Sequence, residues 1–130
     1  MQRTIGRYSP QLFALLRIVA GLMFAMHGTQ KLFGWPGGKD PMTAPMMMAA
    51  GWIELVAGVL IAIGFLTSWL AFLASGEMAV AYFVAHAHPV LSWPIINLGE
   101  LAVLYCLLFL FIAAHGAGIW SVDGARRRAT

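Results

Sequence analysis

Glu54, Glu77 and Glu100 stand inside stretches apolar enough to cross a bilayer, in a chain with only five acidic residues in all. A charged side chain at the centre of a membrane helix costs about 2.5–3.5 kcal/mol on insertion scales, so it turns toward a partner or a watery cavity. Candidate partners stand close by in the sequence: Arg17, His27 and Lys31 in the first apolar stretch, His86 at the end of the third, and Asn97 just before Glu100. Carboxylates among such groups suit three chemistries. They can be interhelical glue, with His27, Lys31 and Arg17 neutralising Glu54 and Glu100. They can bind a quinone or similar apolar redox ligand, whose carbonyl oxygens need His or Lys donors and whose reduction needs a carboxylate to relay protons. They can hold zinc or iron through His27, His86, Glu54 and Glu100. The Glu-x-x-His spacing of bundle di-iron proteins is absent, and no metal is expected.

The elements that must position these residues follow from composition. The chain has 130 residues, 61% of them hydrophobic and 10% charged, with a mean hydropathy of +0.80. That describes a small polytopic membrane protein, one domain over 1–130, rather than a soluble enzyme. A span needs roughly 20 apolar residues, and stretches at about 11–33, 47–66, 68–88 and 95–115 supply them. The expectation is an all-α, integral membrane four-helix bundle. The first stretch follows Arg3 and Arg7 as a signal peptide would, but it is long and has no small-residue cleavage site, so it reads as a retained helix. The formal charge of +3 concentrates at the ends, on Arg3 and Arg7 and on Arg126, Arg127 and Arg128. Four spans put both termini on one side, and the positive-inside rule makes that side cytoplasmic, in a multi-pass inner-membrane protein. The Trp35–Met46 loop and the His88–Pro94 turn then face out, with Lys39 offset by Asp40. The basic tail is read as an anchor on anionic lipid rather than a nucleic-acid patch.

Within that frame the polar residues form a layer. At 1.5 Å per residue, His27, Glu54 and Glu100 lie roughly 8–10 Å below the outer helix ends, with His86 slightly shallower. Ala50, Glu54, Gly58 and Ala62 recur every fourth residue, a small-residue stripe that turns Glu54 toward protein and also permits a homo-oligomer. Arg17, Gly21, Phe24, Gly28 and Lys31 fall within about 40° on the first helix. Asn97 and Glu100 share a face on the fourth. Glu77 is about 180° from His86 on a straight helix, which keeps it out of the same site; it reads as a neutral carboxyl bonded to a carbonyl or to Tyr105, or as part of a proton path. Phe24-Ala25-Met26-His27 resembles Phe83-Val84-Ala85-His86, and Glu54-Leu55 resembles Glu100-Leu101, so each hairpin supplies one His and one Glu. Parallel repeats would bring both pairs to one depth.

Other polar and soft residues have plainer readings. The single Cys106 excludes an internal disulfide or a Cys-x-x-Cys pair, so redox chemistry needs a bound cofactor or another subunit. The tryptophans near the helix ends read as interfacial belts. Met46-Met47-Met48 reads as the start of a helix rather than a copper path. His115 is expected to cap last-turn carbonyls, and His88 to be solvated.

The ordered series Arg17-x-x-x-Gly21-x-x-Phe24-x-x-His27-Gly28-x-x-Lys31-Leu32-Phe33-Gly34-Trp35, Glu54-x-x-x-Gly58 and Asn97-x-Gly99-Glu100-x-Ala102-x-Leu104-Tyr105 resembles the DoxX family of bacterial and archaeal membrane proteins. The ending Gly116-x-Gly118-x-x-Ser121-x-Asp123-x-x-Arg126 resembles it too. The chain departs from the family at Ser68, where the turn is often Thr-Arg, at Leu98, where Gly is usual, and in its short outer loop. The resemblance implies an inner-membrane protein with an oxidoreductase association. It also implies partners such as a quinone and a soluble oxidoreductase or sulfurtransferase subunit in sulfur or oxidative-stress metabolism. From the shared depth of the polar residues, rather than from the resemblance, His27, Glu54 and Glu100 are expected to handle protons, Lys31, Arg17, Asn97 and His86 to bind ligand, and Glu77 to lie on a proton path. The alternative is a non-catalytic membrane scaffold whose buried charges pair the helices.

Overall fold

A computed structural model of the chain describes residues 1–37, 40–87 and 93–129, apart from the Gln2 side chain. Lys39, His88 and most of the turn after His88 lie outside the described residues. Every regular element among the described residues is helical: α1 (Gln2–Ile5), a 3-10 turn (Gly6–Tyr8), α2 (Ser9–Phe33), α3 (Pro45–Ile63), α4 (Thr67–Ala81), a π-turn (Tyr82–His86), α5 (Glu100–His115) and α6 (Val122–Ala129).

Local chemistry explains where these helices begin and end. Pro10 and Pro45 stand in the first turns of α2 and α3, where a missing N–H is harmless and the fixed φ is already helical. Gly34 and Gly64 close the same helices at φ 70° and 76°, the left-handed cap that glycine adopts without a Cβ penalty. The second helix therefore stops at Ile63 rather than running on to 66. The fourth begins at Glu100 rather than near 95, because Leu98 is left-handed at φ 61° and breaks the helical ladder. Leu98 is the position where the family resemblance implied Gly, the residue such a φ favours.

Three helices are long and apolar enough to cross a membrane, Arg3–Phe33, Pro45–Ile63 and Thr67–His86, and the apolar Glu100–His115 is shorter. Leu22, Val56, Phe72, Leu104 and Leu107 are exposed along their lengths. So much apolar surface on a monomer belongs against lipid, and Trp35, Trp52, Trp69, Trp93 and Trp120 are exposed as interfacial anchors would be.

The helices pair as two hairpins, α2 along α3 and α4 along α5. Glycine makes the first pair close: a Cβ at Gly21 would stand 2.6 Å from the Gly58 carbonyl oxygen and 2.7 Å from the Ala62 nitrogen. Small residues let helices touch backbone to backbone where lipid gives no hydrophobic incentive to associate. The seam between the hairpins is spaced instead by aromatic rings. Phe24 meets Phe109 edge-on with centroids 4.7 Å apart, and Phe13 meets Phe111 at 5.9 Å.

At the end where α2 begins, hydrogen bonds tie the helices to the C-terminal segment. The fully buried Arg17 donates from Nη1 to the Ile61 and Ala62 carbonyls and from Nη2 to those of Ile119 and Trp120. Asp123 accepts from the Leu66 and Thr67 N–H groups and from the Thr67 hydroxyl, and so caps α4 from a residue 56 positions away. Burial works against its charge, but those three hydrogen bonds and the nearby Arg127 outweigh it and hold the carboxyl below its usual range.

Candidate functional site

The opposite end of the molecule contains a cavity of about 360 Å³. Its polar walls are His27 and Lys31 from α2, Glu54 from α3, Glu77 from α4, His86 from the π-turn and Tyr105 from α5. Met42, Met46, Met47 and Met78 add soft, adaptable walls, and Leu98 and Leu101 add apolar ones. Ligand pockets are of this kind, a few hundred Å³ of mostly apolar surface with a few polar groups aimed inward.

Lys31 and Glu54 form the one salt bridge found among the described residues, Nζ to Oε1 at 2.6 Å. The Glu54 side chain is 3% exposed and that of Lys31 21%, so the pair is anchored on the buried carboxylate with the ammonium nearer the opening. Glu54 Oε2, both Glu77 oxygens and the Tyr105 hydroxyl are buried with no hydrogen-bond partner among the described residues. A buried polar atom without a partner costs about 1–3 kcal/mol. Such atoms gathered in one cavity are where a ligand or ordered water would be recognised.

Several candidate residues from the sequence meet here. His27, Lys31, Glu54 and His86 all line the cavity. Glu77 joins them, which corrects the expectation that it points away from His86. The reason is the π-turn, closed by the Ala87 N–H on the Tyr82 carbonyl at 2.9 Å. An i→i+5 turn adds one residue to the α-helical ladder and swings the residues beyond it by about 100°. The hydrogen bond from Glu77 to Tyr105 is not made.

Other candidates are elsewhere. Glu100 opens α5 as an exposed residue and is not among the cavity's lining residues. Since α5 starts at that residue, it stands at the helix N-terminus, which favours a carboxylate without any ligand. Asn97 lies in the turn before α5, not on a helical face with Glu100. Its Oδ1 accepts from the Gly99 N–H at 2.9 Å, its Nδ2 donates to the Tyr82 hydroxyl, and its carbonyl faces His86 Nδ1 at 3.0 Å. Asn97 thus positions His86 rather than lining the cavity. Arg17 is at the far end of α2, on carbonyls of the α3 C-terminus and of the C-terminal segment, and does not neutralise Glu54. Helix C-termini carry partial negative charge, and those carbonyls occupy both Nη atoms of the guanidinium. His115 stacks on Phe13, ring centroids 3.7 Å apart, instead of capping carbonyls.

Reading the sequence undervalued Tyr105, which is 5% exposed and unpaired, and missed Met42 and Met78. The signal for Tyr105 was one helical turn of spacing from Leu101; nothing local marked Met42, which reaches the cavity from the α2–α3 loop.

The DoxX family model matches residues 12–87, a stretch that includes His27, Lys31, Glu54, Glu77 and His86. A Haemophilus influenzae protein described as uncharacterized is 44% identical over 125 residues, covering 92% of this chain and 93% of its own length. No solved structure matches.

Proposed function

The chain belongs to the DoxX family of membrane proteins, and from that premise we propose that it is a small membrane subunit of a quinone-linked oxidoreductase system, with its ligand in the α2–α5 cavity. The observation that carries this reading is the set of buried, unpartnered oxygens on Glu54, Glu77 and Tyr105, three residues that line one cavity together with Lys31 and His27. These groups fit a quinone: Lys31, His27 and Tyr105 can donate to carbonyl oxygens, and the apolar walls suit a ring. A bound quinone supplies two-electron, two-proton redox chemistry. The protein's part is to orient the head, exclude water, and hold protons at Glu54 and Glu77, whose unpaired oxygens can carry them. Glu100 has no role in this site.

The chain is placed as a multi-pass protein of the bacterial inner membrane, termini in the cytoplasm, which puts the cavity in the outer half. Electrons come from a partner, a soluble oxidoreductase or sulfurtransferase subunit, because Cys106 cannot form a dithiol with itself. A second reading is favoured by the Lys31–Glu54 bridge and the Arg17 carbonyl cluster: a non-catalytic scaffold whose buried charges fix helix pairing.

The test is native mass spectrometry of protein purified gently from its own membranes. The reading expects about one quinone per chain, with occupancy several-fold lower in Glu77→Gln and Tyr105→Phe at unchanged melting temperature. A bare protein that also fails to bind added quinone would leave only the scaffold.

A further inference from the structure

The seam between the hairpins contains a second space, a wholly apolar crevice of about 190 Å³. From α2 it is walled by Val19, Ala20 and Met23, and from α5 by Leu101, Leu104 and Tyr105. Phe24 against Phe109 and Phe13 against Phe111 space the two helices, and on α5 the crevice lies next to these contacts, along Leu101 to Leu108. Any such crevice in a membrane protein meets lipid chains. What sets this one apart is that Leu101 and Tyr105 also wall the polar cavity. They stand one turn apart on the same face of α5, so one turn of that helix borders both the polar space and the apolar one. The buried, unpartnered Tyr105 hydroxyl belongs to one of the two residues common to both.

We infer that the crevice between α2 and α5 holds the hydrocarbon tail of the ligand whose polar head lies in the cavity, and that the ligand reaches the site sideways from the bilayer past Tyr105. The inference rests on the proposed function and adds the class of ligand: a quinone with a long apolar substituent, rather than a water-soluble one arriving through the loops. The geometry demands both parts. The cavity has the hydrogen-bonding groups, and the crevice, which shares Leu101 and Tyr105 with it, is otherwise walled by apolar side chains that cannot orient a polar head by themselves.

Photo-crosslinking in lipid nanodiscs tests it, using a benzoquinone with a decyl tail ending in a diazirine, beside a phospholipid carrying the diazirine on its acyl chain. The tailed quinone should label α2 around Val19 to Met23 and α5 around Leu104 at least fivefold more than the phospholipid does. Excess untailed benzoquinone should suppress that label. Leu104→Trp, which fills the crevice from its lipid-exposed side, should cut the label several-fold while calorimetric binding of untailed benzoquinone stays unchanged. Labelling that matches the phospholipid pattern, with untailed quinone still bound, would overturn the crevice assignment and leave the cavity reading intact. Failure of untailed quinone to bind at all would remove both.

Discussion

At the scale of single residues, Lys31 and Glu54 dominate because one partner is nearly inaccessible to water. Removing the cation from a buried pair costs about 3–5 kcal/mol where both partners are buried, and the partial exposure of Lys31 (21%) reduces this. Lys31→Met should therefore lower stability in detergent by about 2 kcal/mol. Lys31→Met with Glu54→Leu should recover most of the loss, because the stranded carboxylate goes with it. A double-mutant cycle on thermal unfolding checks the coupling, and additive losses would show that the two residues do not act as a pair. A second expectation concerns Leu98, strained at φ 61°. The left-handed region costs a non-glycine residue about 1–2 kcal/mol, so Leu98→Gly should be neutral to slightly stabilising although it deletes a cavity wall. Chemical denaturation of the pure protein would settle the sign. The carboxylates and their candidate partners were legible from composition, since so few charges occur in so apolar a chain. The partner each one takes was not: Arg17 shares a helical face with Lys31 yet bonds to carbonyls at the other end.

At the scale of elements, the α2–α3 pair and the α4 cap carry the predictions. Gly21→Leu should separate α2 from α3, since even a Cβ there meets the Gly58 and Ala62 backbone. Overpacking typically costs about 1–3 kcal/mol, and a rigid backbone neighbour places this case at the upper end; loss of melting temperature in detergent measures it. Asp123→Ala should cost about 0.5–2 kcal/mol, the usual value of an N-cap. Its pH dependence has a definite sign. Asp123 titrates below its usual 3.8 in the folded protein, so its contribution is fully present above that value and is lost as pH falls through the lower, folded-state pKa. The wild type and Asp123→Ala should converge in stability as the pH drops below about 3.8 and stay apart at neutral pH. A constant gap down to pH 2 would show that the carboxylate charge is not what caps α4. Helix existence was legible from apolar runs and Pro and Gly punctuation. The π-turn was not, because an i→i+5 turn leaves no compositional mark in Tyr82–His86 and is set by what α4 packs against.

At the scale of the whole molecule, the start of α2, the end of α3, the start of α4 and the segment 119–123 share one end, and the cavity occupies the other. Placing the first end in the cytoplasm makes a direct prediction. In a Cys106→Ser background, a cysteine at Thr43 should react with a membrane-impermeant maleimide in intact cells, and one at Arg128 only after permeabilisation. The reverse pattern would turn the cavity toward the cytoplasm and exchange the side from which a soluble partner could approach. The internal resemblance of the two hairpins also changes meaning at this scale. Glu54 is buried in a salt bridge and Glu100 is exposed at a helix start, so the hairpins do not present equivalent sites, and the cavity is asymmetric.

The sequence by itself determined that this is a helical membrane protein of the DoxX family with a few ionisable groups inside its spans, because hydropathy, chain punctuation and motif order are local properties. It did not determine the depth of every group: Glu100, expected below the helix end, stands at the first residue of α5, because Leu98 breaks the helix before it. Tertiary structure alone decided which of them meet. Rotation about each helix axis, the phase shift at the π-turn, the glycine contact that brings α3 against α2 and the rings that hold α5 away from α2 are all set by packing between elements. That packing brings Glu77 and Tyr105 to the cavity beside Lys31 and Glu54, and sends Arg17 and Glu100 elsewhere.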